Sequence, residues 1–201
     1  MSEILESEYA ERNKVPILEV LRGALPATGR VLEIASGTGA HIEFFAQSLP
    51  QLHWLPSDPD PKSRASIAAR ITRAGLPNVE PPADIDVLAI WPGIFVDAVI
   101  VANLLHISPP ETLAALCEGA AHCMPPGGVL HIYGPFKRSG AHTSPGNTAF
   151  DESLRARNPA WGIRDLESVV SVAAGCGFRN QAIVNMPANN FSLVFVLDEP
   201  A

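Results

Sequence analysis

The apolar positions of this chain fall into two rhythms: short continuous runs, and stripes spaced three to four residues apart. Residues 9–25 place Ile17, Leu18, Leu21 and Leu25 on one stripe, which predicts an amphipathic helix that Pro16 either kinks or starts. A strand over 30–35 follows, then a helix from about Gly37 to Ser48 with Ile42, Phe45, Ala46 and Leu49 on one face. His53–Pro56 reads as a second strand. Asp60-Pro61 reads as an N-cap with proline at the first helical position, opening a helix over 61–74 that Gly75 stops. The connection holding Pro77, Pro81 and Pro82 surrounds a short third strand ending near Asp84–Val87. Ala98–Ala102 is a near-continuous apolar run, the mark of a parallel strand covered on both faces. Ser108-Pro109-Pro110-Glu111 has the form of a capping box and opens a helix to about Cys123. Pro125–Gly128 turns into a fifth strand, Val129–Tyr133, and polar loop sequence fills 134–160. A last helix buries Leu166, Val169, Val170 and Ala173 and ends at Gly175-Cys176-Gly177; strands near 182–187 and 191–198 follow.

Strands that alternate with helices predict an α/β fold, a Rossmann-like doubly wound sheet of seven strands with helices on both faces. The last two strands are joined by only a few residues around Asn189-Asn190. That leaves no room for a crossover helix, so the mostly parallel sheet ends in an antiparallel hairpin. We read residues 1–201 as one domain, with 1–28 a helical segment covering the site and 134–163 a loop insertion on the substrate side.

Composition narrows the classes without choosing among them. Hydrophobic content of 47% with 17% charged residues is that of a globular chain. Twenty-one acids against 14 Lys+Arg give a net charge of −7, which disfavours a nucleic-acid partner because a duplex footprint needs a clustered basic face. Cys117, Cys123 and Cys176 form no C-x-x-C pair, so they read as structural thiols of a reducing compartment, and no metal is expected. The first residues, Met1–Glu6, show neither a basic nor an apolar targeting region, and no window is long and apolar enough for a membrane span. The expectation is a cytoplasmic protein without a membrane partner, monomeric or homodimeric.

The chemistry begins at Val31-Leu32-Glu33-Ile34-Ala35-Ser36-Gly37-Thr38-Gly39-Ala40-His41, a strand entering a small-residue turn and then a helix, with a second apolar run ending in Ser57-Asp58. This is the layout of a nucleotide-type ligand site at the mouth of a parallel sheet. Gly37 and Gly39 allow close approach of the backbone to a ligand, since no Cβ intrudes. A carboxylate at Asp58 can accept two hydroxyls in a bidentate bond. Asn103-Leu104-Leu105-His106 follows the central strand at the edge where ligands of open sheets bind, and His106 is a candidate base because an unperturbed imidazole titrates near neutrality.

The first of these motifs resembles motif one of the class I S-adenosylmethionine (SAM) methyltransferases. Four further phrases narrow the resemblance: Glu11–Leu18, Ala102–Ser108, Tyr133-Gly134-Pro135-Phe136-Lys137, and Asn147–Asp165 with Asn158-Pro159-Ala160-Trp161-Gly162 at its centre. Together they resemble the methyltransferase-like 26 family over essentially the whole chain. The general pattern prefers glycine where Ala35 stands.

The resemblance implies SAM as cofactor, with S-adenosylhomocysteine (SAH) as product. It places Ala35, Ser36, Gly37 and Gly39 against the methionine portion and ribose, Glu33 below the turn, either braced against its amides or near the methionine ammonium, and Asp58 on the ribose hydroxyls. Asp86 and Val87 would meet the adenine, Asn103 would offer its carbonyl to the ammonium, and Leu104 would pack on the adenine face. His106 and Tyr133 would face the methyl donor as catalytic candidates. Arg12, Asn13 and Lys14 before the first core helix, and Lys137, Arg138, His142 and Asn147 after the fifth strand, bring clustered cations into an acidic protein. They suggest a small-molecule acceptor carrying an anionic or carboxylate group. Two alternatives stay open, a SAM-binding module without catalysis and a nicotinamide-dependent oxidoreductase. The second is disfavoured by Ile42, which occupies the third position of G-x-G-x-x-G, and by the terminal hairpin.

Overall fold

A computed structural model describes residues 3–199; the ends of the expected domain, 1–2 and 200–201, lie outside the described residues. The elements in chain order are α1 (Glu8–Ala24), β1 (Gly29–Ile34), α2 (Ala40–Ser48), β2 (Leu52–Pro56), α3 (Pro61–Ala74), β3 (Ala98–Ala102), a 3-10 turn (Leu105–Ile107), α4 (Thr112–Cys123), β4 (Val129–Lys137), α5 (Pro145–Arg157), β5 (Arg164–Asp165), α6 (Leu166–Gly175), β6 (Phe178–Met186) and β7 (Asn190–Leu197). The sheet runs β2-β1-β3-β4-β7-β6, with the short β5 pairing β4. β2, β1, β3 and β4 are parallel, and β7 and β6 close the sheet as an antiparallel hairpin. The expected doubly wound, mostly parallel sheet of seven strands is therefore present.

Two cores sandwich the sheet. Ile17, Leu18 and Leu21 of α1 and Phe45 of α2 pack on one face with Val31, Trp54, Ala98 and Ile100. Leu116 and Cys117 of α4 and Leu166 and Val169 of α6 pack on the other with Leu32, Val99, Val101 and Leu130. The β3 run is buried because both faces are covered. At α3 the cap works as expected: Asp60 accepts from Lys62 N (3.0 Å) and Gly75 ends the helix at φ 61°.

Three expectations change. The third strand does not form: Val79 and Ala83 make isolated parallel bridges to Trp54 and Ser57, and the segment between carries Pro81 and Pro82, which have no N–H to donate to a ladder. Glu111, not Ser108, caps α4, and it makes no side-chain cap bond; Thr112 N instead bonds to Pro109 O (3.1 Å), so no capping box closes. The segment 134–160 is not loop throughout, because β4 continues to Lys137 and α5 occupies Pro145–Arg157 with Ser144 as its cap. At α1, Ser7 is the N-cap and its Oγ accepts from Ala10 N (3.2 Å), so of the two readings of Pro16 the helix start is excluded: Pro16 lies inside the helix and removes the bond to the Arg12 carbonyl.

Candidate functional site

After β1 the chain turns outward to β2 and then crosses back to β3, so the carboxyl ends of β1 and β3 diverge at a topological switch point. Two residues there hold left-handed backbone without being glycine, Ala35 (φ 54°) after β1 and Asn103 (φ 61°) after β3. Each conformation costs ~1–2 kcal/mol, and such strain persists where the surroundings hold it. Ala35 thus adopts the conformation that would make glycine the easier residue. Gly37 (φ 56°) and Gly39 (φ 82°) continue the turn.

Crossed hydrogen bonds lock the turn. Ser36 N donates to Ser57 O (2.8 Å), Ser57 N to Ser36 Oγ (3.2 Å), and Ser57 Oγ to Glu33 O (2.8 Å). Asp58 accepts Gly37 N on Oδ2 (2.9 Å) and Asp60 N on Oδ1 (2.9 Å), so it positions the turn's backbone directly. Beneath Thr38, Ser66 Oγ and Arg70 Nε both donate to its carbonyl (2.9 Å each). Arg70 is buried and also reaches Leu5 O, Glu6 and Glu43, tying the segment before α1 to the same turn.

The turn borders a cavity of about 760 Å³. Ala35–Thr38, Asn103, Leu104, His106 and Tyr133 line the sheet side; Ser7, Tyr9, Ala10, Arg12 and Asn13 at the α1 end close one flank, and Phe150, Leu154 and Arg157 of α5 close another. Its size is that of a small-molecule site. Of the cofactor residues expected from sequence, Ala35, Ser36, Gly37, Asn103 and Leu104 are at the wall. Glu33 and Asp58 sit behind the turn, and Gly39 heads α2 against Ile67. Val87 is buried in the hydrophobic core, and the Asp86 side chain caps Leu88 N (2.9 Å), so neither side chain lines the cavity.

The expected cations divide. Arg12 and Asn13 line the cavity, and both lie inside α1, not before it. Lys14 pairs with Glu11 and lies over the Phe44 ring instead. Lys137 and His142 turn away to Asp151, at 3.2 and 3.3 Å, which Arg155 (3.2 Å) and Ile163 N (2.6 Å) also reach. Arg138 pairs with Glu167. Burial alone would raise the Asp151 carboxyl; the Ile163 amide, Arg155 and Lys137 outweigh it and hold it below the usual carboxylate range.

Buried polar groups gather behind and along the cavity wall. Glu33 is 2% exposed, one of its oxygens has no hydrogen-bond partner, and desolvation pushes it up to about 7, with Asp58 adding to the shift against a bond to Ser36. His41 Nδ1 lies 3.8 Å from it, beyond hydrogen-bond reach, while His41 Nε2 meets Asn13 Oδ1 at 2.7 Å. Asn190 Nδ2 donates to the Tyr133 hydroxyl (3.0 Å). Burial raises Tyr133 against the hydrogen bonds from Asn190 and Asn13, so its hydroxyl stays protonated at neutral pH and suits a donor better than a base. Desolvation, with Arg164 nearby, holds His106 down at about 4; its ring packs edge-on against Phe150 at 5.4 Å.

The sequence reading missed His41, Asn190, Phe150, Leu154 and Arg157 at this cavity. The α5 residues carry a usable signal, helical spacing after Ser144-Pro145; Asn190 has none, because only the β4–β7 register brings it to Tyr133.

Residues 6–196 match the model of a family described as protein of unknown function (DUF938). The chain belongs to that family. Its fold is that of solved methyltransferases. An O-methyltransferase family protein from Burkholderia thailandensis matches at TM-score 0.81 and 18% identity, over 96% of this chain and 58% of that one. Human N-acetylserotonin methyltransferase in complex with SAM matches at 0.80 and 14%, over 96% and 53%. CalO1, a methyltransferase of calicheamicin biosynthesis in its SAH-bound form, matches at 0.73 and 18%, over 94% and 55%. The family member spans little more than half the length of each. Among the described residues no helix is long and apolar enough to cross a membrane, and no cluster of His, Cys, Asp or Glu could hold a metal ion.

Proposed function

We propose that this chain is a SAM-dependent methyltransferase acting on a small-molecule acceptor. The observation that carries the reading is the cavity at the β1/β3 switch point, edged by the turn whose Gly37 amide Asp58 holds. The residues fit the cofactor on three counts. Glu33 has an unpaired buried oxygen suited to an ammonium. Asp58 gives each oxygen one backbone donor and keeps lone pairs for hydroxyls. A Cβ at Gly37 would meet no protein atom within 4 Å, so the open space beside the turn is available to a ligand. The methyltransferase-like 26 resemblance of the long motifs and the methyltransferase fold support the same reading.

The sulfonium of SAM supplies an activated methyl group. What remains for the protein is to place an acceptor in line with it and keep water out. Leu104, Ile107, Phe150 and Leu154 supply the apolar wall. Tyr133, steadied by Asn190, offers a hydrogen bond beside the turn. His106 presents a neutral imidazole; a base held near 4 takes protons well only from an acidic acceptor, so it orients most acceptors and deprotonates few.

Calorimetric titration tests the assignment. Wild type should bind SAM saturably and NADH not at all, and Asp58→Ala and Gly37→Val should each weaken SAM binding at least tenfold. Unchanged affinity in both variants rejects the site. Methyl-labelled SAM incubated with cell extract should yield SAH and a labelled small molecule; SAM binding without any such product would leave a binding module.

A further inference from the structure

The cavity wall is electrostatically one-sided. The chain carries 21 acids and a net charge of −7, yet among the described lining residues there is no Asp or Glu, while Arg12 and Arg157 are both present. Neither arginine makes an ion pair among the described residues. Each lies over an aromatic ring instead, Arg12 over Tyr9 (4.9 Å) and Arg157 over Trp161 (5.1 Å). Other cations of this region are engaged: Lys137, His142 and Arg155 by Asp151, and Arg164 by the Leu105, Ser108 and Ala160 carbonyls. A guanidinium that lies over a ring and has no ion-pair partner keeps N–H donors available to an incoming oxyanion.

The two arginines serve different ends. Arg12 adjoins Asn13, which reaches His41 at the start of α2, beside the Gly37 turn. Arg157 ends a stripe on α5 whose other members are Phe150 and Leu154, at i, i+4 and i+7. With a rise of 1.5 Å per residue, Arg157 lies about 10 Å along the helix from Phe150, which packs on His106. The stripe is therefore an apolar track with His106 at one end and a single positive charge at the other.

We infer that the acceptor is an elongated apolar monocarboxylate, its carboxylate on Arg157 and its reacting end about 10 Å away beside His106. One guanidinium neutralises one negative charge, and no lysine lines the cavity to favour a dianionic phosphate. This assignment rests on the methyltransferase reading and replaces Lys137 and His142 by Arg157 as the anion contact.

The test is calorimetry and thermal shift on the full chain, with and without SAH, using 4-(4-hydroxyphenyl)butyrate, its primary amide, and 4-ethylphenyl phosphate. The acid should bind wild type and raise its melting temperature, and the amide should bind at least tenfold more weakly. Arg157→Gln should lose the acid, Arg157→Lys should recover part of it, and Arg22→Gln, a surface charge control on α1, should match wild type. Arg12→Gln should weaken SAH and spare the acid. Equal binding of acid and amide, preference for the phosphate, acid binding retained in Arg157→Gln, or no binding of the acid to wild type each overturns the inference. Failure of SAH to bind wild type instead overturns the methyltransferase reading, while the titrations without SAH still decide the anion site.

Discussion

Replacing Glu33 by glutamine should remove a loss of stability that wild type suffers as pH rises, while damaging its ligand site. In the fold the carboxyl titrates near 7 instead of its ordinary 4.5, chiefly because burial disfavours the charged form. Between those values the folded chain holds a proton that the unfolded chain releases. Stability is therefore full below pH 4.5 and falls as pH rises through 7, by about 3 kcal/mol in all. The buried histidines act in the opposite sense. His41 and His106, held down at about 4, and His131, held at about 3, stay neutral while unfolded imidazoles take up protons near 6.5. Their contribution is full above 6.5 and drains as pH falls towards 4 and 3. A wild-type pH profile mixes these four groups, but the difference between Glu33→Gln and wild type cancels the histidines. That difference should move in the variant's favour by about 2–3 kcal/mol between pH 5 and pH 8, or roughly 5–10 °C in Tm. Urea titrations of both proteins at the two pH values measure it. An amide left without a partner lowers the variant by a constant amount, so the pH dependence is what decides. A difference that does not change between pH 5 and pH 8 refutes the buried, proton-holding carboxyl. SAM affinity of the variant should fall at pH 8, where wild type offers a carboxylate.

Two further outcomes test the surroundings of the site. Asp151→Asn keeps an acceptor for the Ile163 amide but removes the charge shared by Lys137, His142 and Arg155; it should cost about 3 kcal/mol in chemical denaturation, and a loss under ~0.5 kcal/mol would contradict the hub. Gly119→Ala should destabilise by ~1–3 kcal/mol even though alanine favours helices, because its Cβ would stand 2.5 Å from the Trp91 ring; a stabilised variant with unchanged tryptophan emission would refute that packing.

The sequence displayed what local chemistry decides. The Asp60-Pro61 cap, the Ile17/Leu18/Leu21 stripe, the apolar β3 run and the closeness of the last two strands each depend on neighbours in the chain. The third strand was misread because its apolar and acidic pattern hid the veto of two prolines. α5 looked like loop because its sequence is largely polar and most of its burial comes from few positions, Asn147, Asp151 and Leu154. The cation assignments failed for a different reason. Whether Lys137 faces a ligand or an internal acid depends on Asp151 being brought beside it by an intervening turn and helix, and no local pattern carries that information.

Arg70 has no atom on the cavity wall, yet it joins parts that a sequence diagram keeps far apart. One guanidinium reaches the Leu5 carbonyl, the Glu6 and Glu43 carboxylates and, through Nε, the Thr38 carbonyl. The peptide leading into α1 and the glycine turn consequently share a rivet, and Leu5 N reinforces it through Ser66, which holds the same Thr38 oxygen. The cavity's cover and its floor thus form one cooperative unit. Removing Leu5 and Glu6 would take away two of the partners that hold Arg70 beneath the turn, and so loosen the floor from a distance.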